Sequence, residues 1–356
     1  MARSGEARSE GGPGGEDPAG VPIVDVAPLV ERSPAAAPDA AVERAAAALD
    51  TACRGSGFFY AVGHGVSPEL FERLEAESRR FFALDVAEKM EIRMALGGRA
   101  WRGYFPVGDE LTAGRPDLKE GLYFGSELAA DDPRVAAGLP LHGPNLFPAS
   151  VPGLGAAVLE YLDAMAALGH AVMAGLALGL GLDPQTFRRR FMADPLLLFR
   201  IFHYPPSPDG PPSDPTWGVG EHTDYGVLTM LKQDDVGGLE VRSGGRWIEA
   251  PPVPGSFVCN IGDMLERMTG GLYRSTPHRV RNTSGRGRLS FPFFFDPDWT
   301  ARVEPVVSES STGRTGPADR RERWDGEDLH AFEGTYGDYV MGKVSKVFPG
   351  LASDVE

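Results

Sequence analysis

Three residues of this chain have the types and the spacing to hold one transition metal. His222 and Asp224 are separated by a single residue in Gly220-Glu221-His222-Thr223-Asp224, and His278 follows 56 positions later in Ser275-Thr276-Pro277-His278-Arg279-Val280. In an extended strand, residues i and i+2 point to one face, so His222 and Asp224 can occupy neighbouring corners of one coordination sphere. The third ligand must come from a distant strand, and His278 stands at the head of one. Two imidazoles and a carboxylate on one face leave three adjacent positions open, the arrangement of non-haem Fe(II) oxygenases. A lone His-x-Asp carries little weight; a second strand-borne histidine in order behind it carries more.

Ten residues beyond His278 stands Arg288-Leu289-Ser290. Strand periodicity puts Arg288 and Ser290 on one face. A guanidinium beside a hydroxyl is a directional seat for a carboxylate, because arginine offers bidentate, charge-assisted bonds. With Leu289, Phe291 and Phe293 around it, an inward Arg288 is costly unless an anion neutralises it. That anion is either a bound carboxylic acid or an Asp or Glu of the chain itself.

The elements that must position these groups show in the patterning. From Leu196 onward, short apolar or alternating runs are separated by turn signals: 196–204, 227–233, 239–242, 246–249, 257–261, 278–282 and 288–295. Ser243-Gly244-Gly245 reads as a hairpin turn, and Ser284-Gly285-Arg286-Gly287 as another. Short strands at this spacing predict a sandwich or barrel, here a jelly roll, with Asp263 to Thr269 as a short inserted helix. Ahead of it come a strand at Pro22–Asp25, an Ala-rich helix from Asp39 to Arg54 and a buried strand at Phe58–Val62. A helix follows with Ser67 as N-cap and Pro68 at N1, then a shorter one opened by Asp85-x-x-Glu88. Gly97 to Gly125 reads as an aromatic loop packed over something, and 127–152 as a long connection. Helices fill 158–191, with Asp183 and Pro184 opening the second. The expected organisation is a disordered tail at 1–20, an N-terminal α/β region at 21–150, helices and the jelly-roll core at 151–300, and a connection with a closing helix near Leu329–Val347 at 301–356.

The formal charge of −15, from 35 basic and 50 acidic residues, argues against nucleic acid or an anionic membrane as partner. The two cysteines, Cys53 and Cys259, have no metal-finger spacing and predict no disulfide framework, which suits a reducing, cytoplasmic setting. Ala164 to Leu182 is uncharged and long enough to cross a bilayer, but its glycines and the flanking Asp163 and Asp183 favour a buried core helix.

The motifs Gly220-Glu221-His222-Thr223-Asp224, Ser275-Thr276-Pro277-His278-Arg279-Val280 and Arg288-Leu289-Ser290 resemble those of the isopenicillin N synthase-like family of 2-oxoglutarate/Fe(II) dioxygenases. Gly57-Phe58-Phe59 and Gly63-His64-Gly65-Val66 are similar to that family's N-terminal region. The resemblance spans Pro22 to Asp298. It implies a double-stranded β-helix core, Fe(II) bound by His222, Asp224 and His278, and 2-oxoglutarate chelating that iron with its far carboxylate on Arg288 and Ser290. Tyr204, in His203-Tyr204-Pro205, matches a tyrosine that helps bind that carboxylate. Phe202 stands where the family often has Asn. The implied activity is O2-dependent oxidation of a small molecule (hydroxylation, desaturation or ring closure) with release of succinate and CO2, with natural-product biosynthesis as one setting. Arg-x-Ser also occurs in family oxidases that use no 2-oxoglutarate, so an oxidase of the same fold is an alternative, and a non-catalytic metal- or anion-binding jelly roll is another.

Other conspicuous residues read as structural: His64 as a turn residue, His170 as a core histidine, His203 as facing away from Tyr204, His142 and His330 as surface residues, Cys259 as packing. Phe293, Phe295, Arg102 and Tyr104 are candidates for lining a substrate pocket.

Overall fold

The computed structural model describes residues 20–33, 36–112, 114–206, 218–282, 284–307, 326, 328–329 and 331–347. The expected tail, apart from Gly20, and His330 lie outside them. The N-terminal elements are β1 (Ile23–Asp25), α1 (Ala27–Val30), α2 (Ala40–Arg54), β2 (Phe58–Val62), α3 (Pro68–Phe82), α4 (Val86–Lys89), β3 (Gly103–Phe105), β4 (Leu111–Thr112), β5 (Arg115–Pro116), β6 (Glu120–Gly125) and α5 (Pro133–Ala136). The caps follow local chemistry: Asp39 accepts from the amides of Ala41 and Val42, and Ser67 accepts from Leu70 at 3.1 Å. Asp85 makes no such bond, so α4 begins without the expected box.

α6 (Pro152–Gly179) and α7 (Thr186–Phe191) lead into β7 (Leu196–Tyr204). α6 takes in most of the uncharged segment, 164–179 of 164–182, and begins earlier than expected. It is apolar on most sides because it is packed on most sides, with α2 and α3 on one flank and the sheet on another. Its glycines mark the close approaches. A Cβ at Gly169 would lie 2.7 Å from the Phe295 ring, and one at Gly175 2.6 Å from Leu29. Gly169→Ala should therefore destabilise the fold by about 1–2 kcal/mol in urea denaturation. Overpacking against a fixed ring outweighs alanine's helix preference of about 1 kcal/mol.

The remaining strands are β8 (Val219–His222), β9 (Leu228–Gln233), β10 (Leu239–Ser243), β11 (Arg246–Glu249), β12 (Phe257–Ile261), β13 (His278–Val280) and β14 (Arg288–Asp296). α8 (Asp263–Met268) is inserted among them and α9 (Tyr336–Val347) closes the order. They form two facing sheets, β1-β2-β12-β9-β14-β7-β6-β3 and β11-β10-β13-β8. This is a jelly roll, mainly β with helical additions, as the patterning predicts.

Two expectations are corrected. The aromatic stretch 97–125 is no free loop: β6 pairs with β7 from Glu120↔His203 to Gly125↔Leu198, and β3 pairs with β6, extending the large sheet. Gly244 and Gly245 do close a hairpin, with φ of 55° and 80°. The segment 284–287 does not, because β13 pairs with β10 and β8 whereas β14 pairs with β7 and β9. It carries the chain from one sheet to the other. That crossing puts His278 on one wall of a cavity and Ser290, two residues beyond Arg288, on the other.

Candidate active site

His222 and His278 are register partners on β8 and β13, with ring centroids 4.2 Å apart. Asp224 follows the end of β8, and its Oδ1 lies 3.8 Å from His222 Nε2 and 3.7 Å from His278 Nε2. The three ligand atoms all lie within 4.8 Å of one another. Each imidazole is oriented from behind. His222 Nδ1 is 2.8 Å from the Gly220 carbonyl and His278 Nδ1 is 3.1 Å from that of Thr276. A ring nitrogen facing a carbonyl must carry the proton, so both Nε2 lone pairs turn inward. Asp224 Oδ2 accepts from Thr229 Oγ1 at 2.6 Å and Asn260 Nδ2 at 2.7 Å, which leaves Oδ1 for a metal.

The electrostatics agree with a ligand set. Burial, and then the neighbouring His278, hold the His222 pKa down at about 4, so the ring is neutral near pH 7. Burial raises Asp224, but the two histidines and the Asn260 and Thr229 bonds outweigh it and keep the carboxyl ionised. Two imidazoles and one carboxylate with open space beside them suit Fe(II). Thr229 and Asn260 are support residues that sequence reading missed; neither carries a local motif, and strand pairing alone (Asn260↔Thr229) joins them. Asn260→Ala should weaken metal affinity by about 10–100-fold with the fold intact, as measured by competitive metal titration.

The triad opens into a cavity of about 490 Å³. Its large-sheet wall is made of alternate residues, Leu198, Arg200, Phe202 and Tyr204 on β7 and Ser290, Pro292, Phe294 and Asp296 on β14. Behind the wall residue Tyr204, Arg288 pairs with it in register and its guanidinium lies 4.8 Å over that ring. Arg288 is fully buried, and its Nε donates to the Gly237 carbonyl. Its Nη1 and Nη2 are buried and make no hydrogen bond, and no carboxylate among the described residues lies within ion-pair distance of it. Among the described residues, then, Arg288 has no internal ionic partner, and an unpaired buried guanidinium is costly. Ser290, beside it, lines the cavity, as does Tyr204. Burial raises the Tyr204 pKa against the opposing charges of Arg288 and Lys119, so it stays a neutral phenol.

Phe202 occupies its wall position with the Lys119 ammonium 4.7 Å from its ring centroid. Phe293 and Phe295 are corrected: they share the opposite parity from Arg288 and Ser290 and face α6, edge-on to Tyr161 and His170. Phe294 lines the cavity instead. Arg102 is buried against the carbonyls of Ala100 and Leu141, and Tyr104 donates to Glu120 at 2.6 Å, so neither reaches the cavity. His203, paired with Glu120 at 2.8 Å, faces away from Tyr204 as expected. His142 is buried, not a surface residue, with its ring edge-on to Trp299. Both cysteines are buried and free.

Sequence reading also missed Glu110 just before β4, Lys119 just before β6, Arg200, and Tyr336, Val340 and Lys343 from α9, all of which line the cavity. Tyr336 donates to Asp296 at 2.6 Å and so ties α9 to β14. Burial, opposed by that bond and by the Val227 amide, pushes the Asp296 pKa up to about 7.

A jelly roll with a two-histidine, one-carboxylate pocket beside a buried, unpaired arginine is the architecture of a non-haem iron oxygenase that takes a carboxylate co-substrate. Comparison with known proteins narrows this. The N-terminal region described as "non-haem dioxygenase in morphine synthesis N-terminal" matches residues 21–150, and the 2OG-Fe(II) oxygenase superfamily matches residues 195–297. The chain is 50% identical over 327 residues to a Dictyostelium discoideum protein named "Probable iron/ascorbate oxidoreductase", covering 86% of this chain and 90% of that one. It is 36% identical to a homoarginine-6-hydroxylase of Oryza sativa subsp. japonica, over 93% of this chain and 98% of the relative. Among solved structures, a full-length Neurospora crassa protein in complex with α-ketoglutarate and thymine superposes with a TM-score of 0.74 at 26% identity, covering 92% of this chain and 96% of that one. The chain belongs to the isopenicillin N synthase-like 2-oxoglutarate/Fe(II) oxygenases, and it is an oxidoreductase that uses Fe(II), 2-oxoglutarate and O2.

Proposed function

We propose that His222, Asp224 and His278 hold the iron, that Arg288, Ser290 and Tyr204 seat the far carboxylate of 2-oxoglutarate, and that the enzyme oxidises a C–H bond of a small molecule in the remaining cavity. The observation that carries the reading is Arg288, whose two unpaired nitrogens are buried beside the cavity that the triad opens into. Bound there, iron with 2-oxoglutarate and O2 supplies the oxidising chemistry, with succinate and CO2 as the co-substrate's products.

The chain's own part is ligation, orientation and exclusion of water. Gly220 and Thr276 fix the imidazole tautomers through their carbonyls, and Thr229 and Asn260 fix the carboxylate rotamer. Phe58, edge-on to His278 at 5.4 Å, and Leu231, Leu239 and Val280 dry the space around them. α9 and the β4–β5 hairpin complete the lining of the cavity. A dry, enclosed site favours committed oxidation of a bound substrate over wasteful co-substrate turnover.

We further propose a cytoplasmic setting, which the two free cysteines suit, and a role in secondary-metabolite biosynthesis. The relatives named for homoarginine and 1-aminocyclopropane-1-carboxylate put amino acids first among substrates to test. The test is succinate formation from 2-oxoglutarate with Fe(II) in air, alone and with an amino-acid and metabolite panel. We expect succinate, stopped by chelation and stimulated by the true substrate. No succinate with any panel member would sink the reading.

A further inference from the structure

Arg200 is the one arginine among the described residues that line the cavity, and the proposed co-substrate seat does not use it. It stands on the inner face of β7, four residues before Tyr204, while Arg288 sits opposite Tyr204 across the β7–β14 pair. At a strand rise of about 3.3 Å per residue, the two arginine positions are separated by roughly 13 Å along the wall.

The Arg200 guanidinium lies 4.3 Å from the Tyr123 ring centroid on β6 and 4.8 Å from that of Phe294 on β14. Two rings flanking one guanidinium fix its plane in advance, leaving its edges to present paired N–H donors. None of the hydrogen bonds among the described residues uses those donors. Among the described residues its one ion pair is with Glu110, whose oxygen lies 3.7 Å away, beyond hydrogen-bond range. Glu110 is also committed elsewhere: Tyr123 donates to it at 2.7 Å and the Lys119 ammonium lies 2.9 Å from it.

Resting on the proposed function, we infer that Arg200 binds a carboxylate of the primary substrate, which makes that substrate a small carboxylic acid. The co-substrate does not meet this demand. With its keto-acid end on the metal and its far carboxylate at Arg288, 2-oxoglutarate has no third carboxylate to offer. The row of the wall next to Arg200 contains Phe294 and its register partner Thr229, which supports Asp224. A substrate anchored on Arg200 is thereby held beside the reacting centre, its plane set by a guanidinium that loses little freedom on binding.

The test uses the full-length protein loaded with Mn(II) and 2-oxoglutarate, titrated calorimetrically with a panel of α-amino acids and arylacetic acids and with the primary amide of each. At least one acid should bind, and at least about tenfold more tightly than its amide. Arg200→Gln, which keeps a polar side chain between the two rings, should lose at least about tenfold for the acid (about 1.4 kcal/mol). It should change amide binding and 2-oxoglutarate affinity by less than twofold. Acid and amide binding equally, an acid affinity untouched by Arg200→Gln, or a panel with no binder would each overturn the inference. An equal loss of 2-oxoglutarate affinity would overturn it too, by giving Arg200 to the co-substrate. Failure of the underlying reading looks different: 2-oxoglutarate binding would be indifferent to Arg288, whatever Arg200 does.

Discussion

Asp224→Ala should abolish iron binding, leaving protein that retains no metal after anaerobic loading and desalting and shows no metal-dependent rise in melting temperature. The wild-type protein gains stability from metal as RT ln(1 + [L]/Kd), so loss of the site is read as loss of that increment. Asp224 is the hinge of the triad, because its Oδ1 is the atom equidistant, to within 0.1 Å, from both imidazole nitrogens. Alanine removes the only anionic ligand of the set and strands the Thr229 hydroxyl and the Asn260 amide that now hold it. Each stranded buried donor costs about 1–3 kcal/mol. Against this, a buried carboxylate is removed, which offsets part of the loss in metal-free protein. The metal-free variant should therefore melt near the wild type, and the metal-dependent increment is the discriminating measurement. His222→Ala should lose metal in the same way. A variant whose melting temperature still rises with Fe(II) as the wild type's does would remove Asp224 from the ligand set.

How much of this was legible in the chain depended on whether a signal was local. The triad was readable because His222 and Asp224 share a strand end and His278 opens another, so parity and order sufficed. Arg288 and Ser290 were readable for the same reason. That parity also forbade Phe293 and Phe295, and placing them in the pocket ignored it: the face that carries Arg288 and Ser290 continues through Pro292, Phe294 and Asp296. β3 and β6 were misread because glycine inside a strand imitates a turn signal. Gly121 and Gly125 are glycines for packing: a Cβ at Gly121 would lie 2.7 Å from the Phe105 ring, and one at Gly125 would collide with the Arg102 guanidinium. Nothing local encodes those neighbours. Arg200 and Glu110 come together only because β6 pairs with β7, and α9 reaches the cavity only through the fold. Long-range pairing built the Arg200 side of the pocket, and it left no mark on nearby sequence.

Arg288→Gln should weaken 2-oxoglutarate binding by about 100-fold, roughly 2.7 kcal/mol, while leaving the bound metal in place. The size follows from burial. Arg288 has no exposed surface, and its two unpaired nitrogens meet a bound carboxylate in a site that water screens poorly. Glutamine keeps one donor and no charge. The same substitution has an opposite effect on the ligand-free protein, because it removes a buried cation that lacks an ionic partner, so the metal-only melting temperature should hold or rise. The two effects separate in one experiment. With 2-oxoglutarate at 100 times the wild-type Kd, the wild type gains about 2.7 kcal/mol, whereas a variant bound 100-fold more weakly gains about 0.4 kcal/mol. Ser290→Ala, which removes a neutral hydroxyl, should cost only about 1 kcal/mol by the same measure. Equal ligand-induced stabilisation of wild type and Arg288→Gln would detach Arg288 from the co-substrate and leave its buried charge without a function.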